Sequence, residues 1–339
     1  MARIWVRRLA KIGGYGALVL LALAALALTF TVGWRPVIGA KKRPLTARKF
    51  EATPERLRRG EYLVRAVINC MGCHSKYDEN ADPPVLLSKE GAGNVMFEDA
   101  SVRVVAANIT SDPETGLGRW SDDAIARAIR EGIAADGGTL IPVMPYEHFR
   151  HLSDEDLASV VVFLRSLAPV RSDLPPSKVP FLIARLVQAA PHPVTEPVPQ
   201  PDLSTPAKRG AYLAEMGHCT GCHTPIGPPP RFQPIAGMEM SGGSPMAEGV
   251  SAANLTPDAS GIVYYDEGMF VQAIRTGRVG ARKLKHMPWW TFRNMTDGDL
   301  KAVFAYLRTL KPVHHRVDNT EPPTMCRLCR QKHGLGDQN

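Results

Sequence analysis

The 339-residue chain is long enough for two domains with separate cores. Its formal charge of +8 is uneven: residues 1–50 hold ten Lys or Arg and no acid, whereas residues 51–339 hold 31 bases against 33 acids. The basic excess is confined to the N-terminus, which argues against a nucleic-acid partner.

From Gly13 to Trp34 no residue is charged, and Leu18 to Leu28 is almost wholly Leu, Ala and Val. As a helix, such a run spans roughly 30 Å, about one hydrocarbon core. Ile38-Gly39-Ala40 would serve as a cleavage site, but a cleaved leader usually has a shorter apolar region of about 7–15 residues. The expected order is therefore a basic cytoplasmic segment (1–12), an uncleaved transmembrane anchor (13–34) and a linker (35–52), which could extend about 60 Å and let the rest of the chain swing. Bases flank the span on both sides, Arg3, Arg7, Arg8 and Lys11 before it and Arg35, Lys41, Lys42 and Arg43 after it, so charge does not fix orientation.

Thr53-Pro54 reads as a helix start, with Thr as N-cap and Pro in the first turn. The helix should end in Cys70-Met71-Gly72-Cys73-His74. Two thiols three positions apart can fix a porphyrin through thioethers, and the adjacent imidazole can reach the iron. A bare CxxC would be ambiguous, since disulfides, redox pairs and zinc sites share it. The motif returns as Cys219-Thr220-Gly221-Cys222-His223 after a second Thr-Pro start at Thr205-Pro206. Two copies point to two covalently bound haem c groups, with Cys70, Cys73, Cys219 and Cys222 as attachment sites and His74 and His223 as iron ligands. Attachment of this kind is made outside the cytoplasm, so the chain beyond Trp34 is expected in the periplasm and the anchor in the inner membrane.

The duplication runs further. Asn108-Ile109-Thr110 answers Asn254-Leu255-Thr256, and the helical stretches Asp122 to Gly132 and Asp266 to Gly277 share Ala-Ile-Arg-x-Gly. Met144-Pro145-Tyr146 answers Met287-Pro288-Trp289. Ser153 and Thr296 then open closing helices whose apolar residues, Leu157, Val160, Val161, Leu164 and Leu167 in the first, repeat as Leu300, Val303, Phe304, Leu307 and Leu310. The expected domains are 53–172 and 204–314, joined by a Pro-rich linker (173–203) in which Phe181 to Ala190 can form one short helix. The tail, 315–339, follows neither repeat. Its Cys326-Arg327-Leu328-Cys329, with His333 beyond, reads first as a disulfide or free thiols, then as half a metal site or a decayed haem motif.

Each half resembles a small mitochondrial-type cytochrome c domain. Asn-x-Thr, Ala-Ile-Arg-x-Gly, Met-Pro and the closing Leu-Arg-Ser/Thr-Leu together resemble the cytochrome c subunits of membrane-bound alcohol, aldehyde and gluconate dehydrogenases, over about 50–172 and 204–314. Those subunits commonly carry three haems, and this chain has two intact motifs. The resemblance implies an all-α fold of two tandem cytochrome c domains after one transmembrane helix, working in electron transfer and not in catalysis. Met144 and Met287 are the expected distal ligands: each lies in a Pro-containing loop before a closing helix, and each has a counterpart in the other repeat. Met96, Met238, Met240 and Met246 have none and read as core filler. His148, His151, His218 and His286 read as surface histidines or propionate neighbours, and Tyr62, Tyr212, Trp120 and Trp289 as core or haem-packing aromatics.

Residues 51–172 carry 13 bases and 19 acids, and residues 204–314 carry 12 bases and 8 acids. Arg278, Arg282, Lys283 and Lys285 stand just before Met287, so an acidic partner surface is expected to dock near the second haem. The expected setting is a membrane redox complex, such as a reaction centre, an oxidase or a quinol-oxidising complex. The alternatives are the electron-accepting subunit of a periplasmic dehydrogenase, then a dihaem peroxidase or sulfur oxidoreductase.

Overall fold

The computed structural model describes residues 2–78, 80–227, 233–246 and 249–339. The side chains of Arg3, Arg7 and Arg8 lie outside the described residues. Helix α1 (Ala2–Phe30) takes up the apolar run. Its stretch Lys11–Phe30 has mean hydropathy 2.1, and none of it is buried against the rest of the protein. The helix begins within the basic segment and stops short of Trp34, after which a single turn, α2 (Arg35–Ile38), is formed.

The segment expected to swing is instead fastened down. Arg43 holds Asp123 through Nη1 and Nη2 at 2.8 and 2.9 Å, and Glu131 through Nε at 2.7 Å. The amides of Thr46 and Phe50 donate to Asp123 and Asp122 at 2.7 and 2.9 Å. The reason is burial: the Asp123 and Glu131 side chains are 0% and 2% exposed, and carboxylates taken out of water need a cation and donors beside them.

In the first domain, Thr53 caps α3 (Pro54–Tyr62) by accepting from the Arg56 amide, with Pro54 at the first position. A π-helical turn, Leu63–Val67, extends it. The chain then breaks at Asn69, whose φ of 54° is left-handed, so Cys70–His74 forms a helix of its own, α4, and does not end α3. Two antiparallel ribbons come next, β1 (Tyr77–Asp78) with β2 (Val85–Leu86) and β3 (Asn94–Glu98) with β4 (Arg103–Ala106). Then come α5 (Asp122–Glu131), capped by Ser121, the short α6 (Tyr146–Phe149), and α7 (Asp154–Ser166), capped by Ser153. Helix α3 lies directly on α7, and a Cβ on Gly60 would stand 2.0 Å from the Ser159 carbonyl oxygen.

The Pro-rich connection holds α8 (Phe181–Leu186) and a 3-10 turn over Val187–Ala189. The second domain repeats the plan with α9 (Pro206–Met216), α10 (Cys219–His223), α11 (Glu267–Thr276), a ribbon of β5 (Arg278–Val279) and β6 (Arg282–Lys283), α12 (Trp289–Phe292) and α13 (Asp297–Leu307). Gly210 lies on Ala302 as Gly60 lies on Ser159. The tail adds β7 (Pro323–Met325) paired with β8 (Lys332–Gly334). The all-α expectation is thus amended: helices build the cores, and short two-stranded ribbons edge them.

The two cores are one. Buried residues from Leu63 and Val161 to Leu213 and Leu300 form a single apolar cluster. Across it runs a crossed pair of hydrogen bonds. Tyr62 of the first domain donates to Asp299 of the second, and Tyr212 of the second donates to Asp156 of the first at 2.7 Å. Each aspartate also ion-pairs with its own domain, Asp156 with Arg59 and Asp299 with Arg209. Both tyrosine oxygens in turn accept from the amide at the start of the opposite closing helix, Ser153 and Thr296. These tyrosines, expected among core or haem-packing aromatics, are the links between domains.

Candidate functional site

The two CxxCH turns have matching surroundings. Asn69 and His218, at φ 54° and 56°, precede the first cysteine of each. Their side chains fold over the glycine of the motif, where a Cβ on Gly72 would stand 2.1 Å from Asn69 Oδ1 and one on Gly221 1.8 Å from His218 Nε2. All four motif thiols are free and half-buried, and burial pushes the Cys70 and Cys219 thiols up to about 12. Each motif histidine engages a carbonyl through Nδ1, His74 with Ala107 at 2.6 Å and His223 with Ala253 at 2.8 Å. Burial lowers the pKa of both imidazoles, so they are neutral, Nδ1 carries the proton and Nε2 keeps its lone pair.

Those carbonyls are held by the Asn-x-Thr motif. Asn108 Oδ1 accepts from the Thr110 amide and hydroxyl, and its Nδ2 donates to the Val170 carbonyl at 2.7 Å. Asn254 does the same with Thr256 and with Val313 at 2.9 Å. The motif therefore ties the carbonyl that orients each histidine to the segment just past the closing helix.

On the other side, the Met-Pro-aromatic step is anchored by the glycine ending the preceding helix. A Cβ on Gly132 (φ 67°) would stand 2.5 Å from the Tyr146 ring, and one on Gly277 (φ 66°) 2.2 Å from the Trp289 ring. The arginine of Ala-Ile-Arg-x-Gly completes the lock: Arg130 reaches Asp154 at 2.6 Å and Arg275 reaches Asp297 at 2.5 Å. Met144 and Met287 are half-buried against the same core as Cys70 and Cys219. Met238 and Met240 are buried, whereas Met96 is exposed on β3.

The donor set fits covalent haem: two unbonded thiols, a neutral imidazole with Nε2 spare and a thioether, of which the first thiol and the thioether of each half pack against the apolar core. Several buried polar atoms in or next to these motifs lack a partner among the described residues, among them Thr220 Oγ1, His286 Nε2 and Trp290 Nε1, as expected of a site shaped around a further group.

Each CxxCH turn also touches the other domain just past its Met-Pro step. Thr291 donates to Asn69 Oδ1 at 2.6 Å, and the His148 ring packs against that of His218, centroids 4.3 Å apart and planes tilted by 59°. His148 and His151 both face Glu215, at 2.9 and 3.1 Å. These residues were expected at the surface or beside propionates and are domain-interface groups. The basic stretch before Met287 is likewise partly engaged: Arg278 and Lys283 pair with Asp82 of the first domain at 2.8 and 3.4 Å.

Comparison with known proteins matches each half of the chain to a cytochrome family. Residues 55–164 match the family model described as cytochrome c oxidase, cbb3-type, subunit III, and residues 207–311 match that of cytochrome c. A nicotinate dehydrogenase subunit of Pseudomonas putida is 34% identical over 248 residues, 70% of this chain and 19% of that protein. The gluconate 2-dehydrogenase cytochrome c subunit of Pantoea cypripedii is 31% identical over 279 residues, 77% of this chain and 60% of its own length. A diheme cytochrome c-type protein of Cereibacter sphaeroides is 29% identical over 268 residues, 75% of this chain and 86% of its own. The chain thus spans about a fifth of the first relative and three fifths of the second.

Proposed function

Since the chain belongs to the cytochrome c family and carries two of its domains in tandem, with two covalently bound haem c groups, we propose that it is the electron-accepting cytochrome subunit of a dehydrogenase complex at a membrane. Each haem supplies one-electron Fe(III)/Fe(II) chemistry. His74 with Met144, and His223 with Met287, are the proposed iron ligands, and a thioether on the distal side favours the reduced metal. The proposal prefers a dehydrogenase over the reaction centre, oxidase or quinol-oxidising complex that the sequence alone puts first, because similar proteins bear dehydrogenase-subunit names. The observation that carries a two-haem relay is the crossed contact of each attachment turn with the other domain's Met-side helix. It ties each site to the other domain across the shared apolar core.

In this reading α1 anchors the chain in the inner membrane with both domains in the periplasm. Helix α8 supports it. Phe181 and Leu182 are 75% and 72% exposed, and the helix packs beside α2 at the foot of the anchor, where Arg185 and Gln188 bond the backbone at Val37 and Ala40. Such an apolar face next to a span lies in the lipid interface. The proposed partner face near the second haem is the β5–β6 ribbon, with exposed Arg282 as its outward charge. Gentle purification from membranes, with identification of the proteins that co-purify, tests the assignment. A dehydrogenase catalytic subunit is expected, and an oxidase or reaction centre in its place refutes it.

A further inference from the structure

The C-terminal tail carries chemistry that electron transfer does not use. His315, Cys326, Cys329 and His333 are all buried, and their ligand atoms lie within 4.8 Å of one another. Cys326 Sγ is 3.4 Å from His315 Nε2, and Cys329 Sγ is 3.3 Å from His333 Nε2. Tetrahedral zinc sits about 2.3 Å from sulfur and about 2.0–2.1 Å from nitrogen, which places neighbouring ligand atoms roughly 3.3–3.8 Å apart. The observed sulfur–nitrogen separations fall in that range.

The supporting groups are in place. His315 Nδ1 donates to the Ser241 carbonyl at 2.9 Å, and His333 Nδ1 faces the Gly334 carbonyl at 3.1 Å, so both rings turn Nε2 toward the thiols. The Cys326–Cys329 turn closes by a bond from the Arg330 amide to the Cys326 carbonyl, with Arg330 left-handed at φ 58°. The Cys329 amide points at Cys326 Sγ at 3.5 Å, a donor that suits a thiolate. A disulfide would occupy both sulfurs and leave two buried imidazoles with Nε2 facing no partner. The two histidines, one of them 11 residues ahead of the first cysteine, are what turns the balance from a disulfide to a metal.

We propose that these four side chains bind one Zn²⁺ as a closed structural site, both thiols giving up their protons on binding. Two soft sulfurs and two imidazoles within 4.8 Å of one another, with no fifth donor among the described residues of the cluster, match the four-ligand set that zinc takes in tetrahedral structural sites and leave no open position for a substrate. The site clamps one domain only. Ser241, which accepts from His315, is followed by Gly242, whose amide donates to the carbonyl of His223 at 2.7 Å. Gly243 (φ 89°) passes so close that a Cβ there would stand 2.5 Å from the His315 ring. Zinc therefore braces the loop behind the second attachment turn, and nothing equivalent stands behind His74 among the described residues.

The test uses the full-length protein purified in detergent with its haems and without chelator. Metal analysis should find one zinc for every two irons, and zinc-edge X-ray absorption should show two sulfur and two nitrogen neighbours. His333→Asn and the paired Cys326→Ser, Cys329→Ser variant should each lose the zinc and keep both haems. If the variants do not accumulate, wild-type protein stripped with a chelator should take back one equivalent of zinc. Absence of zinc with a disulfide in the C-terminal peptide, zinc retained by the variants, or no reuptake each overturns the site. Stripping should shift the midpoint potential of the second haem and leave the first unchanged; no shift, or an equal shift in both, overturns the bracing role.

Discussion

The crossed tyrosines allow a quantitative test of how the two haem domains are held together. Replacing Tyr62 and Tyr212 by Phe keeps both rings in the core and removes only the hydroxyls that reach Asp299 and Asp156. The acceptors are charged and almost fully buried, at 1% and 6% side-chain exposure. A hydrogen bond to a charged group contributes about 1.5–3 kcal/mol, so the pair should cost about 3–6 kcal/mol if the two sites add. Because each bond crosses between domains, the loss falls on their association and leaves each domain's own helix pairing intact. Denaturant unfolding monitored by haem absorption should show one transition in the wild type, and an earlier, split one in Tyr62→Phe with Tyr212→Phe. A loss below about 1 kcal/mol, or a single unsplit transition at a lower midpoint, would refute the reasoning. Burial, and then the bond to Asp299, push the Tyr62 phenol up to about 12. A raised folded pKa gives stability that is complete below the unfolded value of about 10 and lost as pH rises through about 12, so the link should weaken only in strong alkali.

Further expectations concern the linker, pH, the iron ligands and the membrane. Arg43→Ala leaves Asp123 and Glu131 buried without their cation and should cost about 3–5 kcal/mol, read from thermal or denaturant unfolding. Burial, together with the charge of His148, lowers His218 to about 4. The unfolded chain then binds the extra proton as pH falls from about 6.5 to about 4, so stability should drop through that window, by up to about 3 kcal/mol. His218→Asn, which copies Asn69 of the first domain, should flatten that slope. Met144→Ala and Met287→Ala should each abolish half of the weak far-red band of thioether-ligated ferric haem; an unchanged spectrum removes that methionine as a ligand. Phe181→Asp with Leu182→Asp should weaken binding of the protein, freed of α1 by proteolysis, to lipid vesicles, and equal binding would exclude α8 from the interface.

The features legible in the sequence are those that local spacing encodes. The caps at Thr53, Ser153, Thr205 and Thr296 all form, because a hydroxyl and an amide three residues on need no tertiary context. The two CxxCH turns and the internal repeat were legible for the same reason. Motif roles were less so. Asn-x-Thr and Ala-Ile-Arg-x-Gly stood out as repeated letters, but their work depends on Val170, Tyr146 and Asp154, which lie far along the chain. The domain interface was invisible, since Tyr62 and Asp299 are 237 residues apart and neither breaks an apolar period. At the tail, CxxC and His333 stand out, whereas His315 reads only as the first residue past the repeat. Its meaning appears only when the β7–β8 ribbon carries the cysteines back onto it.

The grip of Arg43 on the first domain has a consequence for how current can flow. In the proposed bilayer setting, a molecule bolted to its mast cannot ferry charge between distant stations. Donor and acceptor must both come to it, and each must reach a haem at whatever height the mast presents. Throughput would then be set by who can stand alongside, and lengthening the segment between Ile38 and Arg43 would lift the whole assembly out of its partners' reach.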